Sequence, residues 1–308
     1  MATQTCHSWP SDAGALDRGS VQSFDSFVDS GYGHLEEVLL ASPQHLSLVP
    51  CNAMSVAAME NGHRSCTDRA HAQHSALSAA LAASGVSIRM VPPVARLPDL
   101  AFTRDSTFMT PWGLLGLRPG AAHRQAEVDV VLQAAQGFGI HVLGTVSNGR
   151  VEGGDICLLR PGHLAIGVSG ERTDWTGAEA IGRVFTQGGW SVTYTPVAPD
   201  LLHLDTHFCM LERELALGCI EKLDPAFLQE LARLGIEVIS VHPHDLPTLG
   251  CNVLALGRRR ILSTGSAPRV DEAMRRRGFE VITVTLNEFT QCGGGVHCLT
   301  APLRRRPG

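Results

Sequence analysis

Apolar positions along the chain fall into one pattern that returns five times: an amphipathic helical stretch, a glycine, then a short run rich in β-branched residues. A helix predicted over 69–84 meets Gly85 and VSIRMV, and one over 125–137 is followed by Gly139 and IHVLGTV. The same order recurs at 176–187 with Gly189 and WSVTYTPV, at 225–234 with Gly235 and IEVISVHP, and at 269–277 with Gly278 and FEVITVTL. Each glycine stands where the residue beyond a helix takes up the left-handed conformation. Successive ones lie 43–54 residues apart, the period of a repeat architecture. Further β segments at 155–159, 164–168, 252–256 and 260–263 supply more strands per unit than a doubly wound parallel sheet requires. The GxGxxG phosphate turn of such a sheet is also missing. The predicted fold is therefore α/β, a five-bladed propeller of ββαβ-like units around a pseudo-five-fold axis. Its central channel is where residues of different units converge. The fold is expected to start at Gly33 with a first strand through Ala41, leaving residues 1–32 as a loose arm and 33–308 as a single domain.

With 308 residues, 44% of them hydrophobic, the chain can bury a core of normal size without staples. A formal net charge of -5 without a basic segment argues against nucleic acid or an anionic membrane surface as partner. Arginine triplets at 258–260, 275–277 and 304–306 border turns and read as solvated loop charge. The nine cysteines are odd in number and lack CxxC spacing, so neither a disulfide framework nor a zinc framework is indicated. The first 33 residues contain no apolar signal core, and no run of about 18 apolar residues follows. The expectation is a soluble protein of a reducing cytoplasm, acting on a small molecule and able to form a homo-oligomer.

Four polar motifs interrupt or follow the apolar strands: FTRD at 102–105, EGGD at 152–155, HLD at 203–205 and GGGVHC at 293–298. The glycine run allows close approach of backbone to a ligand, and Cys298 beyond it is a candidate nucleophile. In an extended segment His203 and Asp205 share one face. Asp105, Glu152 and Asp205 near one thiol require a cation among them, and a planar guanidinium pairs with carboxylates through its N–H forks. A metal held by His203, Asp105, Glu152, Asp205 and Cys298 is the alternative, without HxH or CxxC spacing to support it. A serine hydrolase lacks its GxSxG elbow. Taken singly, each carboxylate reads as a turn cap or a surface acid. Cys157 and Cys209 sit in apolar runs as core thiols, and His207 reads as a residue packed at a strand end. Cys292 has no base of its own, Asp155 serves the turn or orients a neighbour of the substrate, and Asn252 and Glu288 are candidates for the wall of the site.

Together FTRDS, EGGD, HLDT and GGGVHC resemble the guanidino-group modifying enzymes: arginine deiminases, dimethylarginine dimethylaminohydrolases and amidinotransferases. These share the five-bladed α/β propeller called the pentein fold, and the resemblance runs from about Gly31 to Pro302. It implies a cysteine-dependent hydrolase acting at the guanidinium carbon of arginine or a derivative through an S-alkylthiouronium on Cys298. In that reading His203 is general acid and then base, while Asp105, Glu152 and Asp205 orient and balance the guanidinium. RPGAAHRQAE at 118–127 and GERT at 170–173 look most like the dimethylarginine hydrolases, which implies that Arg124 and Arg172 hold the substrate α-carboxylate. Asp99, in PDLAF, matches another substrate-side position. Two departures point elsewhere in the superfamily. Asp205, and Arg104 beside Asp105, are unlike the mammalian dimethylarginine hydrolases and similar to arginine deiminases and amidinotransferases. His297 before the nucleophile is similar to amidinotransferases and agmatine-type deiminases. The large helical insertion of arginine deiminases has no room between Glu152 and His203. The chemistry calls for no metal or organic cofactor. Amidino transfer from Cys298 to an amine, and a non-catalytic binding module on the same fold, are the alternative classes.

Overall fold

The computed structural model describes residues 27–307. Most of the arm read over 1–32 lies outside the described residues. From Phe27 onward the chain rests on the body: the Phe27 carbonyl accepts the Arg305 N–H at 3.1 Å, and the Gly31 N–H donates to Leu158 at 3.0 Å. Val28, Ser30 and Tyr32 are buried there.

The described residues form five three-stranded sheets. The first unit holds β1 (His34–Ala41), α1 (Ala53–Glu60), α2 (Thr67–Ala83) and β2 (Ser87–Val91). The second holds β3 (Thr107–Thr110), β4 (Gly113–Gly116), α3 (Gln125–Gly137) and β5 (Val142–Thr145). The third holds β6 (Ile156–Arg160), β7 (His163–Val168), α4 (Trp175–Gln187) and β8 (Ser191–Pro196). The fourth holds β9 (Phe208–Glu212), β10 (Leu215–Gly218), α5 (Pro225–Arg233) and β11 (Glu237–Ser240). The fifth holds β12 (Leu254–Gly257), β13 (Arg260–Ser263), α6 (Pro268–Arg276) and β14 (Glu280–Thr283). A short α7 (Asn287–Thr290) then leads to β15 (Ala301–Arg306), which pairs antiparallel with β1 and completes the first sheet.

Within each sheet an antiparallel pair is extended by a strand parallel to the middle one, as in β3–β4–β5 and β6–β7–β8. The parallel strand needs a crossover, and each helix supplies it. Gly85, Gly139, Gly189, Gly235 and Gly278 have φ of 83°, 79°, 83°, 70° and 83°, so the punctuation read from the chain closes all five helices. Helix packing is one-sided: Ile181 and Phe185 of α4 are fully buried, each worth about 1.5–3 kcal/mol against exposure. No helix among the described residues is long and apolar enough to cross a membrane.

Neighbouring blades meet through β1 with β12, β12 with β9, β9 with β6, and β15 with β3, and the antiparallel bridge of Arg118 with Val151 joins the second blade to the third and closes the ring. The segments just before β3, β6, β9, β12 and β15 therefore gather at one end of the channel. Those segments contain FTRD, EGGD, HLD, Cys251-Asn252 and GGGVHC.

Two local expectations are corrected. The strand-like run 279–286 is a strand only over Glu280–Thr283, after which the chain turns into α7 to deliver the glycines. The triplet 304–306 is part of β15, and strand alternation sends its middle residue inward. Arg305 is 1% exposed and donates through Nη1 to the carbonyls of Gly33 (2.6 Å) and Ala255 (2.7 Å), while Arg304 and Arg306 pair with Glu36. Burial, with Arg104 adding repulsion, pushes the Arg305 guanidinium down to about 9.

Candidate active site

The glycine run is a close-packed turn. Gly293 has a φ of 100°, and a Cβ there would stand 2.8 Å from the Asn52 side chain. A Cβ on Gly294 would lie 2.4 Å from the Phe102 ring, and one on Gly295 2.6 Å from Asn252 Oδ1. This packing fixes where Cys298 emerges. Its Sγ accepts the Asn252 Nδ2–H at 3.1 Å and lies 3.8 Å from Asp205 Oδ2. Burial pushes the thiol well above its ordinary range, and Asp205 and Asp105 push the same way, while the Gly295 N–H and Asn252 oppose them. Asn252 also accepts the His297 N–H at 3.1 Å, so one amide ties the thiol to the residue before it. Asn252→Ala is expected to lower kcat about ten-fold or more, from loss of a hydrogen bond to a charged sulfur worth about 1.5–3 kcal/mol. It should also raise the pH at which iodoacetamide labels Cys298; an unchanged labelling profile would contradict this role.

Before β6, a 3-10 turn at Gly153–Asp155 presents Glu152, which is fully buried. Its Oε2 meets His203 Nε2 at 2.7 Å, and its Oε1 accepts the Gly120 N–H at 2.9 Å and faces Arg172 Nη1 at 3.5 Å. Burial opposes the charge on Glu152, but the bond and charge of His203, with Arg172 and Arg124, hold it below the usual carboxylate range. For His203 burial also opposes the charge; Asp105, the bond to Glu152 and Asp155 outweigh it and raise the imidazole above its ordinary range. Gly154 makes room for the ring, since a Cβ there would stand 2.7 Å from Nδ1. Asp155 serves the turn: it accepts the Leu204 N–H at 2.9 Å and Ser169 Oγ–H at 2.8 Å.

His203 is extended, but Asp205 lies in a 3-10 turn over Leu204–Thr206, so strand parity is not what brings the two together. Asp205 reaches the site through that turn. Its Oδ2 accepts His297 Nδ1–H at 2.7 Å, and its Oδ1 is buried without a partner. His203 Nδ1 is likewise buried and unpartnered. Burial works against ionised Asp205, while the His297 bond, His203 and Arg104 keep its carboxyl below the usual range. His207 Nδ1–H donates to the His203 carbonyl (3.1 Å), and burial lowers its imidazole to about 4.

Arg124 is buried with its donors engaged: Nη1 to Asp105 at 2.7 Å, Nη2 to Glu127 at 2.9 Å and to the Phe102 carbonyl at 2.9 Å. Asp105 in turn accepts the Gly154 N–H at 3.3 Å. Arg172 donates to the Cys51 carbonyl and faces Glu152. Asp99 is buried and paired with His123 Nε2 at 2.7 Å. A pocket here is lined by Asp99, Asp105, Arg124, Arg172, His203 and Cys298. Glu152 stands behind His203, and Asp205 forms part of a second cavity with Arg104, His297 and Arg305.

Asp105, Glu152 and His203 each bring a potential ligand atom within 4.8 Å of the others. A dication there would sit among Arg124, Arg172 and an imidazole already bonded to Glu152, so the carboxylates are balanced without it. Glu288 belongs elsewhere: it accepts from Cys66 N–H and Arg69 Nε, bracing α2 against α7. Asn52 stands in no motif, His123 and Glu127 lie inside RPGAAHRQAE without a role read for them, and Asn252, a candidate for the wall of the site, is bonded to the Cys298 thiol. For Asn252 the repeat itself carries the signal, because it precedes β12 as the four motifs precede the other inner strands.

Comparison with known proteins gives the family and the fold. The model of the family described as N,N dimethylarginine dimethylhydrolase, eukaryotic, matches residues 48–305. An N(G),N(G)-dimethylarginine dimethylaminohydrolase of Streptomyces coelicolor is 31% identical over 228 residues, 73% of this chain and 82% of that one. An arginine deiminase of Rhodococcus erythropolis is 30% identical over 248 residues, 68% of this chain and 61% of that one. The solved dimethylarginine dimethylaminohydrolase of Pseudomonas aeruginosa, a cysteine-to-serine mutant complexed with citrulline, aligns with a TM-score of 0.72 at 25% identity, covering 87% of this chain and 99% of that one. With five ββαβ blades and a family match across most of its length, the chain belongs to the dimethylarginine dimethylaminohydrolase family of the pentein, guanidino-group modifying superfamily.

Proposed function

We propose that the protein is a cysteine-dependent guanidino hydrolase that favours an unmethylated, arginine-like substrate. The observation that carries this reading is a pocket lined by Cys298 and His203, with Asp205 Oδ2 3.8 Å from Sγ; His203 Nδ1, and Oδ1 of Asp205 on the second cavity, are buried without partners. Buried polar atoms are normally satisfied, so unsatisfied ones at a pocket ask for a ligand.

Before substrate binds, burial, with Asp205 and Asp105 adding to it, favours the neutral Cys298 thiol, and the surrounding carboxylates favour the His203 imidazolium against burial. A guanidinium placed against Asp105 and Asp205 adds positive charge and lowers the cost of the thiolate. The thiol proton passes to solvent as the substrate binds, and the thiolate Sγ then attacks the guanidinium carbon. The tetrahedral adduct collapses with one C–N bond broken, and His203 gives its proton to the departing nitrogen. The same imidazole takes a proton from water, which attacks the S-alkylthiouronium; the C–S bond breaks and a ureido product leaves. Glu152 holds the ring and its charge throughout. Arg124, with its donors on Asp105 and Glu127, fixes Asp105 toward the guanidinium. It also stands with Arg172 at the pocket, where the two offer positive potential for the substrate α-carboxylate, and Asp99 is placed for the α-ammonium.

Specificity follows from Asp205. Two methyl groups on one terminal nitrogen remove its donors and leave a buried carboxylate oxygen unsatisfied, a loss of about 1–3 kcal/mol or more for a charged group. Arginine is expected to have a kcat/KM about ten-fold or more above that of asymmetric dimethylarginine, and Asp205→Asn should narrow the ratio by reducing the arginine reaction more. Steady-state kinetics on both substrates with both proteins decide it. A native preference for the dimethylated compound would remove Asp205 from this role.

A further inference from the structure

We propose that the second cavity, in the channel bordered by the inner strands, binds a small monovalent anion of the halide class through Arg104, Arg305 and Thr107. Its lining comes from β3, β6, β9 and β15, and it measures about 40 Å³, where one water needs about 10–15 Å³. Three of its lining residues bring donors without acceptors. Thr107 Oγ1 and Arg305 Nε are buried and unpartnered, each on a residue 1% exposed. Among the described residues the two guanidiniums bond only carbonyls: Arg305 through Nη1 to Gly33 and Ala255, and Arg104 through Nε to His297 at 3.4 Å. The Arg104 Nη nitrogens therefore add further N–H groups that no described acceptor meets. Buried donors of this kind call for a partner.

Charge decides what kind of ligand these donors take. Asp205 is the one carboxylate among the described residues that line the cavity. Its Oδ2 already accepts His297 Nδ1–H, and its charge balances one of the two guanidiniums. Asp29 acts on Arg305 from outside the lining. His297, Cys157 and Cys209 complete the titratable lining; burial lowers the imidazole and raises both thiols, so all three are uncharged near neutral pH. One positive charge is left over in the cavity. An uncompensated buried charge is costly, and a monovalent anion removes that cost without creating a second imbalance. It also offsets the repulsion from Arg104 that, with burial, pushes Arg305 down. A dianion reverses the imbalance, and water brings no charge. Arg104 ties the site to the nucleophile's segment, since its backbone N–H donates to the Cys298 carbonyl at 3.2 Å and its Nε to that of His297. An anion that holds the Arg104 guanidinium thus braces this segment from behind, outside the substrate pocket that Cys298 and His203 line. The site does not depend on the proposed function.

Bromide and chloride are the probes, with gluconate, too large for the cavity, as the reference anion. Crystals of the full chain grown in sodium bromide are expected to show an anomalous bromine peak in the cavity beside Arg104, Arg305 and Thr107. Thr107→Val keeps the side-chain shape and removes the hydroxyl donor, which should weaken halide binding about ten-fold. In solution, exchanging gluconate for chloride at constant sodium should therefore raise the Tm of the native protein relative to Thr107→Val by about 2–4 °C. Comparing the two proteins cancels general effects of salt. Ordered water alone in the cavity of the bromide crystals, or equal chloride dependence of Tm in the two proteins, overturns the site.

Discussion

Cys298→Ala is expected to abolish turnover, lowering kcat by roughly four orders of magnitude or more while leaving the fold intact. Cys51 and Cys292 line the same pocket, but among the described thiols Cys298 is the one bonded to Asn252 and set beside Asp205. Cys292 is buried with Sγ directed at the Glu288 carbonyl (3.5 Å), and burial drives its proton affinity up with Asp99, Cys51 and Glu288 adding to it. Cys209 donates to the Val253 carbonyl at 3.2 Å and is pushed up to about 12. Cys292→Ala and Cys209→Ala should therefore retain most activity. The charge argument also separates reagents. A neutral haloacetamide should label Cys298 slowly near neutral pH and faster as pH rises, since the empty site disfavours the thiolate. A cationic haloamidine should label it faster at the same pH, because it brings the positive charge the site lacks. Equal rates for the two reagents, or labelling chiefly at Cys292, would contradict the assignment.

His203→Ala should cost about 10²–10⁴-fold in kcat, the range of a positioned general acid–base, with KM changing far less. Glu152→Gln tests the same unit through its pH dependence. In the free protein the thiol must lose a proton and the imidazole must keep one, so kcat/KM should rise with pH and fall once pH passes the raised His203 pKa. Removing the Glu152 charge removes part of what raises that pKa. The descending limb should then move to lower pH, and stay in place if Glu152 is only a packing residue.

Much of this arrangement was legible in the chain because glycine punctuation and helical periodicity are local. The five helices α2 to α6 and their closing glycines follow from them, whereas α1 and α7 carry no such signal. What was not legible depended on three-dimensional closure. Arg305 looks like a member of a solvated triplet until β15 pairs with β1 and turns it inward. Arg124 resembles a free cation in its motif, yet Glu127 one turn on and Asp105 across the blade occupy its donors. The neighbourhood of His203 and Asp205 was anticipated from strand alternation and is produced by a 3-10 turn. Asn252 stands in no motif and reads from the sequence only as a candidate for the wall of the site; its place beside Cys298 follows from the fivefold register, carried to the blade that lacks a motif.

The central claim is hydrolysis at a guanidinium carbon, and product analysis tests it most directly. Arginine and asymmetric dimethylarginine, each with and without glycine, would be incubated with the native protein and with Cys298→Ala. Their citrulline, ornithine, ammonia, dimethylamine and amidinated glycine would then be quantified. The account predicts citrulline and ammonia in equal amounts from arginine, unaffected by glycine and absent with Cys298→Ala. Ornithine with amidinated glycine, or citrulline still formed by Cys298→Ala, would contradict it.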